Sequence, residues 1–155
     1  MNEKLVVVTP IYEDTESAEK LISELKKKFQ DNLYIVAVDD GSIHRPIEVD
    51  ILNRVNADGV ILQLIKNVGH QKAIAIGLQY VAENLDWADN IVVMDSDGED
   101  DPDTIEPLLN ALGSQDIDIA VGKRKNRSEA FHFQVFYNIY KLSLIHISEP
   151  TRQEA

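Results

Sequence analysis

The sequence predicts an α/β fold, a mainly parallel sheet with helices on both faces. Three features carry that expectation: short apolar runs, helical spacing in the segments between them, and turns rich in acidic residues and glycine where the runs end. The runs cover residues 5–8, 33–38, 60–64, 91–94 and 117–121, each of the length and composition of a buried strand. After the first run, Ala18, Leu21, Ile22, Leu25 and Phe29 recur at helical spacing, and after the third, Ala73, Ile74, Gly77, Tyr80 and Val81 do the same. The predicted order is β-α-β-α-β-α-β-α-β. Such alternation makes the strands parallel and covers the sheet on both sides. Open sheets of this kind hold their ligands beyond the carboxyl ends of the strands.

Composition narrows the function. A chain of 155 residues, 44% hydrophobic, suits one domain with its own core. A net charge of −12 argues against a nucleic-acid surface, because binding the phosphate backbone needs a basic face. Without cysteine there is no disulfide, thiolate metal site or thiol nucleophile. No apolar stretch approaches the roughly 20 residues of a membrane helix, and the apolar run near the start is too short for a signal peptide. The expectation is a cytoplasmic protein, with association at the cytoplasmic face of a membrane reserved for a longer, full-length form.

The turns after the runs carry the candidate chemistry. The first, Thr9-Pro10-Ile11-Tyr12-Glu13-Asp14, has Pro10 to stiffen it and Asp14 or Thr15 to cap the next helix; Tyr12 also offers a flat face for a planar base. In the second, Val38-Asp39-Asp40-Gly41-Ser42, the carboxylates suit either the turn itself or a nucleobase N–H and ribose hydroxyl, with Gly41 letting backbone approach closely. The third, Lys66-Asn67-Val68-Gly69-His70-Gln71-Lys72, opens a helix with positive charge and backbone donors, which suits a solvated helix start or a phosphate. His70 reads as a polar loop residue, since no second histidine stands at a zinc spacing. After the fourth run, Asp95-Ser96-Asp97-Gly98-Glu99-Asp100-Asp101 crowds carboxylates that a hard divalent cation would hold together. Asp100 and Asp101 read mainly as acids of a helix start before Pro102.

Taken in order, Pro10-Ile11-Tyr12-Glu13, Val38-Asp39-Asp40-Gly41-Ser42, Asn67-Val68-Gly69-His70-Gln71-Lys72-Ala73 and Val93-Met94-Asp95-Ser96-Asp97 resemble the family 2 glycosyltransferases of the GT-A fold. The likeness is greatest to the branch with dolichyl-phosphate mannose synthase and the polyprenyl-phosphate sugar transferases. It implies that Pro10, Tyr12, Asp39 and Asp40 hold the nucleotide, Asp40 foremost at the base, with Glu13, Asn67, Gly69, Lys72 and Ser96 in the same substrate site. Asp95 and Asp97 match the DxD motif, which contacts the ribose and a Mg²⁺ or Mn²⁺ ion on the diphosphate of a UDP- or GDP-sugar. Arg124, with Lys123 before it and Arg127 behind it, falls where relatives carry a basic residue near the diphosphate. The implied activity is sugar transfer with inversion, to an acceptor such as a polyprenyl phosphate.

Some segments depart from that pattern. Tyr12-Glu13-Asp14 stands where many relatives have Tyr-Asn-Glu, and Gly98-Glu99-Asp100-Asp101 replaces a shorter acidic-proline arrangement. Phe131, Phe133, Phe136, Tyr137 and Tyr140 form an aromatic, amphipathic segment read as a helix packed on the sheet. Residues 142–155 resemble translated sequencing adapter and are set apart as a non-native tail, leaving 1–141 as a C-terminally truncated nucleotide-sugar-binding domain. Two rival readings remain: a haloacid-dehalogenase-like phosphatase built on Asp95 and Asp97, and a truncated, non-catalytic nucleotide-binding domain. The first is short of chain, because its motif normally opens the domain.

Overall fold

The computed structural model describes residues 3–114 and 117–122. Contacts divide the chain into 1–121 and 122–155, and the architecture below is that of the first unit. Four strands, β1 (Leu5–Ile11), β2 (Leu33–Asp39), β3 (Asp58–Gln63) and β4 (Asn90–Val93), form one parallel sheet in the order β3-β2-β1-β4. The helices are α1 (Thr15–Phe29), the short α2 (Ile51–Arg54), α3 (His70–Asn84) and α4 (Ile105–Ser114). No helix among the described residues is long and apolar enough to cross a membrane.

Alternation along β1 and β2 explains the layers. Leu5, Val7, Ile11, Leu33, Ile35 and Ala37 face one side, where Ala18, Leu21, Ile22 and Leu25 of α1 complete a core with Ile47, Ile51, Met94 and Ile105. Val6, Val8, Val36 and Val38 face the other, against Ala73, Val81 and Leu85 from α3 and its end. Both sides of β1 are thus buried, as its unbroken apolar run requires. Asp14 caps α1 by accepting from Ser17 N–H at 3.1 Å. Gly77 lets α3 lie close to the sheet: a Cβ there would sit 2.5 Å from Cγ1 of Val8.

The expected strands at 60–64 and 91–94 form with shifted ends, at Asp58–Gln63 and Asn90–Val93. The expected strand at 117–121 is not formed. Those residues carry no regular structure, and Ile119 and Val121 are 78% and 82% exposed. Their period-two pattern states which face a strand would bury, but a strand also needs a neighbour for its backbone groups, and no described residue supplies a ladder there.

Candidate functional site

The strand order places the candidate site. From β1 the sheet grows outward through β2 and β3, then returns to add β4 on the opposite side of β1. The direction of growth reverses between β1 and β4, and crevices of open parallel sheets form at such a reversal, beyond the carboxyl ends of the strands. A cavity of about 370 Å³ lies in that region, lined by Pro10, Ile11, Tyr12, Asp40, Asn67, Gly69 and His70. Tyr12 is 52% exposed at the cavity, so its ring keeps an accessible face. Gly69 precedes α3 with φ of +94°, and among the described residues no side chain caps this helix start. Lys72 lies in the first turn of α3, exposed, and does not line the cavity.

Three acidic side chains lace the surrounding loops together. Asp39, 2% exposed, accepts Ser42 N–H at 2.9 Å on Oδ1 and Ile47 N–H at 3.0 Å on Oδ2. Asp40, 3% exposed, accepts Val68 N–H at 2.7 Å and Gly69 N–H at 3.0 Å, tying the loop after β2 to the loop after β3. Those loops touch: a Cβ on Gly41, at φ of +71°, would fall on the backbone of Lys66 and Asn67. Glu13 reaches across to accept Ile43 N–H at 2.7 Å, His44 N–H at 3.1 Å and Arg45 N–H at 2.8 Å. These donors, Ile43 foremost, hold its carboxyl below the usual range. Asp40 lines the cavity, whereas Glu13 and Asp39 do not.

The acidic turn after β4 divides its side chains between two places. Oδ1 of Asp95 lies 3.2 Å from Nε2 of His70, beside the first cavity. Asp97 lines a second cleft of about 360 Å³ with Ser96, Asp100, Asp101, Ser17 and Lys20. Ser96 is buried and donates its hydroxyl to the carbonyl of Pro10 at 3.3 Å, which fastens the turn to β1. Asp97 accepts Glu99 N–H at 2.9 Å, and Asp100 accepts Asp95 N–H at 3.0 Å. Asp101 accepts Asp103 N–H at 2.8 Å and caps the turn that leads into α4, the helix-start role expected of it.

Among the described residues, no group of three or more His, Cys, Asp or Glu could hold a metal ion. Mg²⁺ commonly takes one or two carboxylates and completes its sphere with water and phosphate oxygens. Asp95 and Asp97 carry hard oxygen donors of the kind such a cation takes, with Asp95 beside the first cavity and Asp97 in the second cleft.

Lys123, Arg124 and Arg127, the aromatic segment and the 142–155 tail lie outside the described residues. His70, read from sequence as a polar loop residue, is instead the first residue of α3, and it lines the cavity with Nε2 facing Asp95. Spacing along the chain held no sign of its contact with Asp95, which depends on where α3 starts relative to the turn after β4. Only the strand order supplies that neighbourhood.

Comparison with known proteins adds a family. The Glycosyl transferase family 2 profile matches residues 6–153, a span that runs into the segment set apart as a tail. The chain is 26% identical over 132 residues to the dodecaprenyl-phosphate galacturonate synthase of Rhizobium johnstonii, covering 81% of this chain and 37% of that protein. It is 30% identical over 122 residues to the dolichol-phosphate mannosyltransferase of Pyrococcus furiosus, covering 78% and 33%. The chain therefore spans less than two fifths of the length of either relative. A crystal structure of S. aureus TarS 1–349 superposes with a TM-score of 0.54 at 20% identity, over 81% of this chain and 39% of that one. That likeness bears on the fold, and the α/β, GT-A-like architecture expected from the motifs is the one observed.

Proposed function

This chain belongs to glycosyl transferase family 2, and from that premise we propose that it forms the donor-binding part of an enzyme transferring sugar from a nucleotide-activated donor. The observation that carries the reading is the cavity at the sheet reversal, where Tyr12 and Asp40 meet Asn67, Gly69 and His70, and where His70 reaches Asp95 of the acidic turn. A planar base stacks on Tyr12 beside Pro10 and hydrogen-bonds near Asp40. The amino end of α3, with Lys72 in its first turn and Gly69 before it, favours the diphosphate. Asp39 and Glu13 serve the same site by holding its loops, and Ser96 by fixing the acidic turn to β1.

Asp95 and Asp97 are the residues that would hold Mg²⁺ or Mn²⁺ together with the donor. Bound there, the cation offsets the negative charge that grows on the departing nucleoside diphosphate. Arg124, beyond the described residues, adds positive charge to the diphosphate in this reading. The names of the two relatives support a polyprenyl phosphate as acceptor. Such an acceptor is already ionised, so no protein base is required for its attack. Inversion at the sugar follows from the family resemblance alone.

Calorimetric titration with UDP and GDP, each with Mn²⁺ and with EDTA, tests the proposal. One nucleotide is expected to bind in a metal-dependent way. Asp97→Ala is expected to remove the metal dependence with the fold intact, and Asp40→Ala to weaken the nucleotide about tenfold or more through the loss of charged hydrogen bonds, leaving metal preference alone. A folded chain that binds neither nucleotide, with or without Mn²⁺, would overturn the donor-site reading.

A further inference from the structure

Glu13 lies outside the cavity lining, yet its bonds surround the aromatic residue that lines it. Tyr12 stands between two tethers. Before it, the carbonyl of Ile11 accepts Asp40 N–H at 2.8 Å. After it, Glu13 N–H donates to Oγ of Ser42 at 2.8 Å. The Glu13 carboxylate then takes three consecutive backbone N–H groups, those of Ile43, His44 and Arg45. Consecutive N–H groups converging in this way form a concave anion cradle, and here the chain fills it with its own side chain.

The backbone of Glu13 is unusual as well. Its φ is +53°, in the left-handed region that a glutamate rarely adopts. Such a conformation persists where surrounding bonds over-determine it, and five hydrogen bonds to residues 42–45 do so here. The same bonds fix the direction in which the chain leaves Tyr12, whose ring lines the cavity. Asp39 supports the same loop, because it holds Ser42 just before the cradle and Ile47 two residues beyond it.

We propose that Glu13 is a positioning residue for the nucleotide site: by clamping residues 43–45 it sets the ring of Tyr12 at the cavity, and it acts on the ligand only through that ring. The inference rests on the donor-site reading for its ligand but on its own geometry for the clamp. It assigns to Glu13 a role distinct from touching the substrate.

A double-mutant cycle on the full chain separates the two roles. Glu13→Gln is expected to weaken the nucleotide that the wild type binds by about tenfold, the scale of a hydrogen bond to a charged group. In a Tyr12→Ala background the same substitution is expected to cost nothing further, because the ring it positions is gone. An equal loss in both backgrounds, or none in either, would overturn the proposal. If Glu13→Gln does not fold, Ser42→Ala removes one tether more gently and runs through the same cycle. Should the wild type bind neither UDP nor GDP, the donor-site reading fails by itself, and the clamp is then read from 3-fluorotyrosine at Tyr12. A shifted or broadened Tyr12 fluorine signal in Glu13→Gln supports the proposal, and an unmoved signal refutes it.

Discussion

At the residue scale, the acidic side chains near the sheet ends act largely as acceptors for backbone N–H groups. Asp39, Asp40 and Glu13 each bridge to a loop that has no regular structure of its own. Glu13 adds a pH dependence. Its folded pKa lies below the ordinary 4.5, so the stability it contributes is present in full above that value and is lost as pH falls through the lower folded one. Urea midpoints of wild type and Glu13→Gln should therefore differ at neutral pH and converge well below 4; a gap that persists in acid would exclude the linkage. Thr9 presents the opposite case. Its Oγ1 is fully buried and has no hydrogen-bond partner among the described residues. Thr9→Val keeps the branched shape and removes the unpaired hydroxyl, so it should raise stability by about 1 kcal/mol in denaturant unfolding. A loss of stability would mean that the hydroxyl is satisfied in solution.

At the scale of elements, α3 is tied to the sheet by close approach. Gly77→Ala would place a methyl group 2.5 Å from Val8 and 3.0 Å from Val38, both on buried strands that cannot shift freely. Overpacking of this kind costs about 1–3 kcal/mol, which outweighs the roughly 1 kcal/mol that alanine gains over glycine inside a helix. Thermal melting should show the loss, and an unchanged midpoint would mean that α3 can lift from the sheet without penalty. The same element shows what a sequence can carry. Ala73, Gly77 and Val81 repeat at helical spacing and are the buried face of α3, as Ala18, Leu21, Ile22 and Leu25 are of α1. Local periodicity suffices where one face meets one core. Residues 117–121 have equally clear alternation and form no strand among the described residues, because pairing is a property of two segments. The turn role that sequence allows Asp39 is met by its bond to Ser42, three residues on, whereas for the same reason Glu13 could be read only as a candidate ligand: the N–H groups it holds belong to residues up to 32 positions away.

For the whole molecule, a net charge of −12 sets a background of self-repulsion that local pairs offset in part. Arg54 gathers Glu19, Glu48 and Asp50, and Lys28 meets Asp103. Raising NaCl from about 0.01 M to 0.15 M shortens the screening length from roughly 30 Å to 8 Å, so the melting temperature should rise. A fall would mean that the attractive pairs dominate.

The carboxylate-laced loops also bear on how a ligand is received. Because Asp40 holds Gly69 at the cavity wall and Glu13 holds residues 43–45 behind Tyr12, the loops around the cavity are tied before any guest arrives. A nucleotide entering such a preformed mould surrenders mainly its own freedom, and little is asked of the host. Association should then resemble the fitting of a key into a rigid lock, with bound and free loops superposing closely.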